Sequence, residues 1–179
     1  MNKTIIVLGS SRLHGNTWKL CKKLSDLTNV DIINLKEYDI HEYDYDNKYD
    51  DDDFPPLLEK IAKYDTIIFA TPIYWYSMSA RLKMFIDRLS DLITTKKDLG
   101  RQIKGKNLAL LSTNYDGTLD FDFALPFRMT AKYLHLEFTG HLHLSGLELE
   151  SDNLSDESKN KIEKFIKSNN LEKDLTKSA

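Results

Sequence analysis

The chain has almost no cysteine: Cys21 stands alone among 179 residues. No intrachain disulfide can form, and no cysteine-based cluster can be assembled. That usage fits a reducing compartment. Long apolar runs are missing as well. The N-terminal MNKTIIVLGSS offers only the short stretch TIIVL, which is too brief for the hydrophobic region of a signal peptide. No run approaches the ~20 apolar residues that span a bilayer. The expectation is a cytoplasmic protein that does not engage a membrane. A strong charge excess is also lacking, since the net charge is −3, which argues against nucleic acid as a partner.

What is present suits one domain, residues 1–179, with a single sizeable core. Charge is unevenly spread. From Glu37 to Asp53 nine acidic residues face Lys48 alone, a net of −8 that leaves +5 for the rest. The opposite pole is TTKKDLGRQIKGK, residues 94–106, with five bases and one acid. Both segments read first as solvated loops.

Strand-like runs recur at 4–8 (TIIVL), 30–35 (VDIINL), 66–70 (TIIFA), 107–112 (NLALLS) and 137–144 (EFTGHLHL). Near-continuous β-branched and apolar spelling suits strands buried on both faces. Helical patterns alternate with them. Trp18, Cys21 and Leu24 recur after GNT. Pro55 and Pro56 open a segment with Leu57, Leu58, Ile61 and Ala62 on one face. Met78, Leu82, Phe85, Ile86, Leu89 and Ile93 form the clearest apolar stripe, leaving Arg81, Lys83 and Arg88 outward. A further helix within 121–134 is shortened or kinked by Pro126, and DESKNKIEKFIKS closes the series. Alternation of this kind predicts an α/β three-layer sandwich: a five-stranded parallel sheet of order 2-1-3-4-5 with helices on both faces. Ligands of such sheets bind beyond the carboxyl ends of the strands, where the order reverses.

Three loops lie there. GSSRLHGNT, residues 9–17, runs straight into a helix, whose N-terminus suits a phosphate. Ser10, Ser11 and Thr17 add hydroxyls, Asn16 an amide and Arg12 a charge, while Gly9 and Gly15 let the backbone curl. The triphosphatase spelling G-x4-G-K-[ST] is absent, with Asn16 where lysine belongs. So are G-x-G-x-x-G and the acidic residues of a magnesium-holding receiver site. The residues point to one phosphate held without metal, or to an ordinary Ser/Gly turn. FATPIYWYSMSA, residues 69–80, turns through Pro72, Ile73, Tyr74, Trp75 and Tyr76 where polar residues normally stand. Aromatics in a row imply something to cover, a flat ligand or another subunit. STNYDGT, residues 112–118, lines the other side of the cleft or is a plain loop. His141 and His143 share one strand face, two metal ligands without a third, so no metal is expected. Cys21 lies on an inner helix face and reads as core.

Taken together, GSSRLHGNT and PIYWYSMSARLKMFIDR resemble the flavodoxin-like NAD(P)H-dependent FMN reductase and quinone reductase superfamily. Its phosphate loop reads roughly G-S-x-R-x-x-G-N-T, and its flavin loop P-[IV]-Y-[WF]-x-x-[MP]-S before a helix ending in D-R. The likeness covers most of residues 4–145. It implies FMN as bound cofactor and NADPH or NADH as co-substrate. Ser10, Ser11, Arg12, Gly15, Asn16 and Thr17 would surround the phosphate. Pro72, Ile73, Tyr74 and Trp75 would hold the isoalloxazine ring, bordered by Ser112, Thr113, Asn114 and Tyr115. A homodimer with the flavin near its interface is the implied assembly. One branch of the superfamily carries a cysteine cluster between strand 2 and helix 2; here that stretch is HEYDYDNKYDDDD, which excludes an iron–sulfur centre. The implied reaction carries a hydride from nicotinamide to flavin, then electrons to a small-molecule acceptor such as a quinone, nitro compound or flavin. No side chain need act as acid or base, so no catalytic residue is assigned. The alternative is a flavodoxin-type electron carrier that binds FMN without reacting with NAD(P)H.

Overall fold

The computed structural model describes residues 2–28, 30–151 and 153–171. In chain order the elements are β1 (Thr4–Leu8), α1 (Asn16–Thr28), β2 (Asp31–Asn34), α2 (Phe54–Ile61), β3 (Thr66–Tyr74), β4 (Ser77–Met78), α3 (Ala80–Arg88), α4 (Lys97–Ile103), β5 (Asn107–Asn114), α5 (Leu125–Tyr133), β6 (Glu137–Ser145), α6 (Gly146–Glu150) and α7 (Asp156–Ser168). The main sheet runs β2-β1-β3-β5-β6 with every pairing parallel. β4 pairs only with β3, antiparallel. Setting β4 aside, this is the 2-1-3-4-5 order read from the sequence.

The continuous apolar spelling of β1 follows from its central place. Ile5 and Val7 face one core with Phe54, Leu82, Phe85 and Phe127. Ile6 and Leu8 face the other with Leu20, Cys21, Leu24, Ile162 and Phe165. Each of these fully buried strand side chains contributes roughly 1.5–3 kcal/mol. Helices α2, α3 and α5 cover the first face, α1 and α7 the second. Cys21 is core, as read, and burial pushes its thiol pKa far up, so it packs as a small apolar group. No helix among the described residues is long and apolar enough to cross a membrane.

The structure departs from the sequence reading in four places. β3 does not end at Ala70 but continues through Pro72 to Tyr74. β1 pairs with it only as far as Ala70, while β5 pairs on to Pro72, so the proline enters where one flank of the strand is already open. Met78 belongs to β4 rather than to the helix that follows; Ser79 caps α3, its hydroxyl accepting from the Leu82 amide. Residues 97–103 of the basic stretch form α4, anchored by Ile103, and 146–150 form α6, capped by Ser145. Arg88 is not outward: it is 3% exposed. The helix read within 121–134 is shortened, as expected: α5 begins at Leu125 and Pro126 lies in its first turn, where its missing N–H has no helical partner to lose.

Arg88 is enclosed because its charge is matched inside. Its Nη1 donates to Asp52 Oδ2 at 2.6 Å and its Nε to Asp91 Oδ2 at 3.1 Å. Nη1 and Nη2 also reach the carbonyls of His41 and Tyr49 at 3.4 and 3.3 Å. The guanidinium lies 4.7 Å from the Phe54 ring centre. Asp52 further accepts from the amides of His41 and Phe54 at 2.9 Å each. The acidic segment is therefore a folded loop held by one buried arginine.

Candidate functional site

The sheet order reverses between β1 and β3, and the three candidate loops meet above that point. Gly9 ends β1 against α3: a Cβ there would lie 2.5 Å from Leu82 Cβ and 2.9 Å from its Cα. The Ser79 hydroxyl donates to the Gly9 carbonyl, and the Ser79 amide donates to Thr71 Oγ1 at 2.9 Å. The start of the first loop is thereby tied to both ends of the aromatic hairpin.

Within the first loop, Ser10 is buried and its hydroxyl closes a small turn with the Arg12 amide and carbonyl, both at 3.3 Å. Thr17 is buried and shares a 2.7 Å hydrogen bond with the Thr113 hydroxyl. Asn16 Nδ2 donates to Glu150 Oε1 at 3.0 Å. These three side chains shape the loop and join it to its neighbours. What remains open is backbone. Lys19 N–H bonds Gly15 O at 3.0 Å, but the amides from Leu13 to Trp18 donate to no acceptor among the described residues. Ser11 and Arg12 are exposed beside them, and Arg12 has no carboxylate within 4.0 Å among the described residues. Uncapped amides at the start of a 13-residue helix, with an unpaired guanidinium alongside, fit a phosphate.

The second loop is a two-residue β-hairpin. Ile73 pairs with Met78 and Tyr74 with Ser77, and the turn residues Trp75 and Tyr76 have φ of 49° and 62°. Two successive left-handed residues define the turn type that normally takes Asn-Gly. Bulky residues in that region cost about 1–2 kcal/mol each. Trp75 is 94% exposed and Tyr76 77%. Tyr76 leans edge-on toward Phe121, 5.5 Å between ring centres. Strain is thus combined with display of two large rings beside the first loop.

The third loop leaves β5 at Asn114. The Ser112 hydroxyl lies 2.7 Å from both His141 Nε2 and His143 Nδ1, so the histidines share a serine rather than presenting a joint metal face. Asn114 Oδ1 accepts from Gly117 N–H at 2.7 Å. The Tyr115 carbonyl accepts from the Leu147 amide at 3.1 Å and the Ser145 hydroxyl at 3.0 Å. The Tyr115 ring is exposed. Gly146 sits where the first and third loops meet α6: a Cβ there would strike Asn16 Nδ2 and lie 3.0 Å from Asn114 O. Gly146 and Glu150 escaped the sequence reading, which placed Tyr76 in the aromatic turn without assigning it to the ring site. The first had a signal, the Ser-Gly pair that opens a helix directly after the last strand; Glu150 had none, because its partner is 134 positions away.

A family model described as NADPH-dependent FMN reductase matches residues 2–125. The Bacillus subtilis protein YwqN, provisionally named an NAD(P)H-dependent FMN-containing oxidoreductase, is 31% identical over 123 residues, 64% of this chain and 67% of YwqN. Among solved structures, the Trp repressor binding protein of Bacillus subtilis superimposes with a TM-score of 0.66 at 21% identity, covering 94% of this chain and 99% of that one. An NADPH-quinone reductase from P. pentosaceus gives 0.64 at 19% identity, covering 96% and 98%. At such identities the solved structures speak to the fold.

Proposed function

The chain belongs to the NADPH-dependent FMN reductase family, and from that premise we propose that it passes a hydride from NADPH or NADH to bound FMN and then reduces a small acceptor such as a quinone, a nitro compound or free flavin. The observation that carries this reading is the uncapped start of α1 beside a strained aromatic hairpin, both above the point where the strand order reverses. FMN, when bound, supplies the hydride-accepting and hydride-donating chemistry. The chain's own part is to bind, orient and shield. The amides from Leu13 to Trp18, with Ser11 and Arg12, hold the phosphate. Ser10, Gly15, Asn16 and Thr17 keep the loop in the shape that presents them. Pro72, Ile73, Tyr74 and Trp75 hold the flat ring system, and backbone donors at its pyrimidine edge favour added negative charge. The turn after Ser112 and Thr113, through Asn114 and Tyr115, borders the opposite edge. The exposed rings of Trp75 and Tyr76 suit a homodimer with the site near its interface, in the cytoplasm.

Steady-state oxidation of NADPH and of NADH by the FMN-loaded protein with menadione tests the reading. Turnover without any added reductase is the expected result. FMN retention without nicotinamide oxidation would overturn it in favour of an electron carrier, a reading to which the acidic face from Glu37 to Asp53 lends support as a docking surface.

A further inference from the structure

Ser112, Asn114, His141 and His143 form one hydrogen-bonded chain across the last two strands, and its far end fixes every proton in it. Asn114 Oδ1 accepts from Gly117 N–H at 2.7 Å, while its Nδ2 donates to the Thr118 carbonyl at 2.5 Å. The amide is therefore oriented, and Oδ1 meets His143 Nε2 at 3.2 Å as an acceptor. A ring nitrogen facing an acceptor must carry the hydrogen, so neutral His143 is protonated at Nε2 and bare at Nδ1. The Ser112 hydroxyl has one hydrogen, and it points to that bare Nδ1 across 2.7 Å. Its oxygen is left to accept from His141 Nε2, also at 2.7 Å. His141 is thus protonated at Nε2 as well, and its Nδ1 has no partner among the described residues. It borders a groove of about 790 Å³ between β6, α7 and the turn at Asp116–Leu119.

Both rings are kept neutral. Burial lowers the His141 and His143 pKa values first. His143 and Arg128 further lower that of His141 against the pull of Asp122, and Lys161 lowers that of His143 against the Ser112 carbonyl, Asp116 and the Gly117 carbonyl. One added proton can enter at His141 Nδ1 without breaking a bond. A second would enter at His143 Nδ1, making both rings donors to the serine oxygen and leaving the buried Ser112 hydroxyl hydrogen without its acceptor.

We propose that His141, Ser112 and His143 are positioning residues, whose chain locks the Asn114–Thr118 turn in the shape that receives one edge of the flavin. The proposal rests on the flavin reading given above. Ser112 is fully buried and its hydroxyl is doubly engaged. Both polar atoms of the Asn114 amide are engaged within the turn and with His143. The Ser112 hydrogen and the Asn114 oxygen are both committed inside the chain, so these groups act through the turn, whose Tyr115 ring is exposed.

The chain is read first in the protein without cofactor. Long-range proton–nitrogen spectra at pH 7.5 should show both rings as Nε2–H tautomers; either ring in the Nδ1–H form overturns the proposal. FMN titrations of Ser112→Ala, His143→Leu and His143→Gln then test its purpose. Glutamine offers an N–H to Asn114 and a carbonyl to Ser112, keeping the polarity of the chain. Affinity should fall about tenfold in the alanine and leucine variants and recover to within about threefold of wild type in the glutamine variant. Should His143→Leu fail to fold, Ser112→Ala decides, with circular dichroism confirming its fold. Wild-type affinity in the truncated variants overturns this proposal alone. A wild-type protein that binds no FMN overturns the flavin reading, and this proposal with it.

Discussion

At Arg88 a full charge lies inside the protein, held by Asp52, Asp91 and two carbonyls. Burial pushes the Asp91 carboxyl pKa up, and Arg88 works against that shift. Removing the guanidinium leaves two enclosed carboxylates facing each other, which costs about 3–5 kcal/mol. Arg88→Met should therefore lower the unfolding free energy in urea by about 3 kcal/mol or more. It should also expose the 39–53 backbone to hydrogen exchange; a change under about 1 kcal/mol would show the network to be dispensable. His141 gives a second residue-scale prediction. Burial holds its imidazole down to about 4, from 6.5, so the folded chain binds that proton more weakly than the unfolded one. Its contribution is complete above pH 6.5 and is lost as pH falls toward 4, amounting to about 3 kcal/mol. The urea stability of His141→Gln, which keeps the donor to Ser112, should fall by about that much less than wild type between pH 7.5 and 4. Equal slopes would contradict the assignment. The sequence disclosed that His141 and His143 share a strand face, but not that Ser112 lies between their rings, because that depends on the register of β5 against β6. Arg88 was read as outward because a helical stripe predicts polar residues outside, and the compensating Asp52 comes from another segment.

Among the elements, the hairpin after β3 was least legible. Its turn lacks the Asn-Gly signal, and Pro72 reads as a strand breaker until the open flank beside it is known. The main strands were legible because burial on both faces writes itself as unbroken apolar spelling. α4 was not, because seven residues with few apolar side chains and a central glycine leave little periodicity. Strain at Trp75 and Tyr76 leads to an opposed pair of outcomes. The double variant Trp75→Asn/Tyr76→Gly should raise stability by about 2–4 kcal/mol, through relief of two left-handed bulky residues. The same variant should bind FMN more weakly, since the displayed ring is gone. A stabilised variant with undiminished flavin affinity would mean that the aromatics serve another surface. In the first loop, Arg12→Ala should weaken FMN binding about tenfold with unchanged stability, because Arg12 is exposed and makes no ion pair among the described residues. Thr17→Ala acts differently: it leaves the buried Thr113 hydroxyl short of a partner and should cost about 1–3 kcal/mol of stability.

At the scale of the whole molecule, the sheet order, the two cores and the meeting of three loops above the strand reversal all serve one placement. They bring together helix amides and an arginine that have no partner among the described residues, and a strained aromatic turn. The positions of these loops were legible because strand–helix alternation dictates where strand ends gather. The inner wiring was not: the hydrogen bonds of Thr17 to Thr113, Asn16 to Glu150 and Ser112 to the histidines join segments far apart in the chain. A site of this build should act as a linked equilibrium, with FMN raising the unfolding temperature in proportion to the logarithm of its excess over Kd. The most direct test of the central claim is an absorption titration of the cofactor-free protein with FMN, followed by removal of the unbound excess. A saturable shift of the flavin bands at one FMN per chain, with a retained flavin spectrum, is the expected result. An unshifted spectrum, with no flavin retained, would contradict the claim.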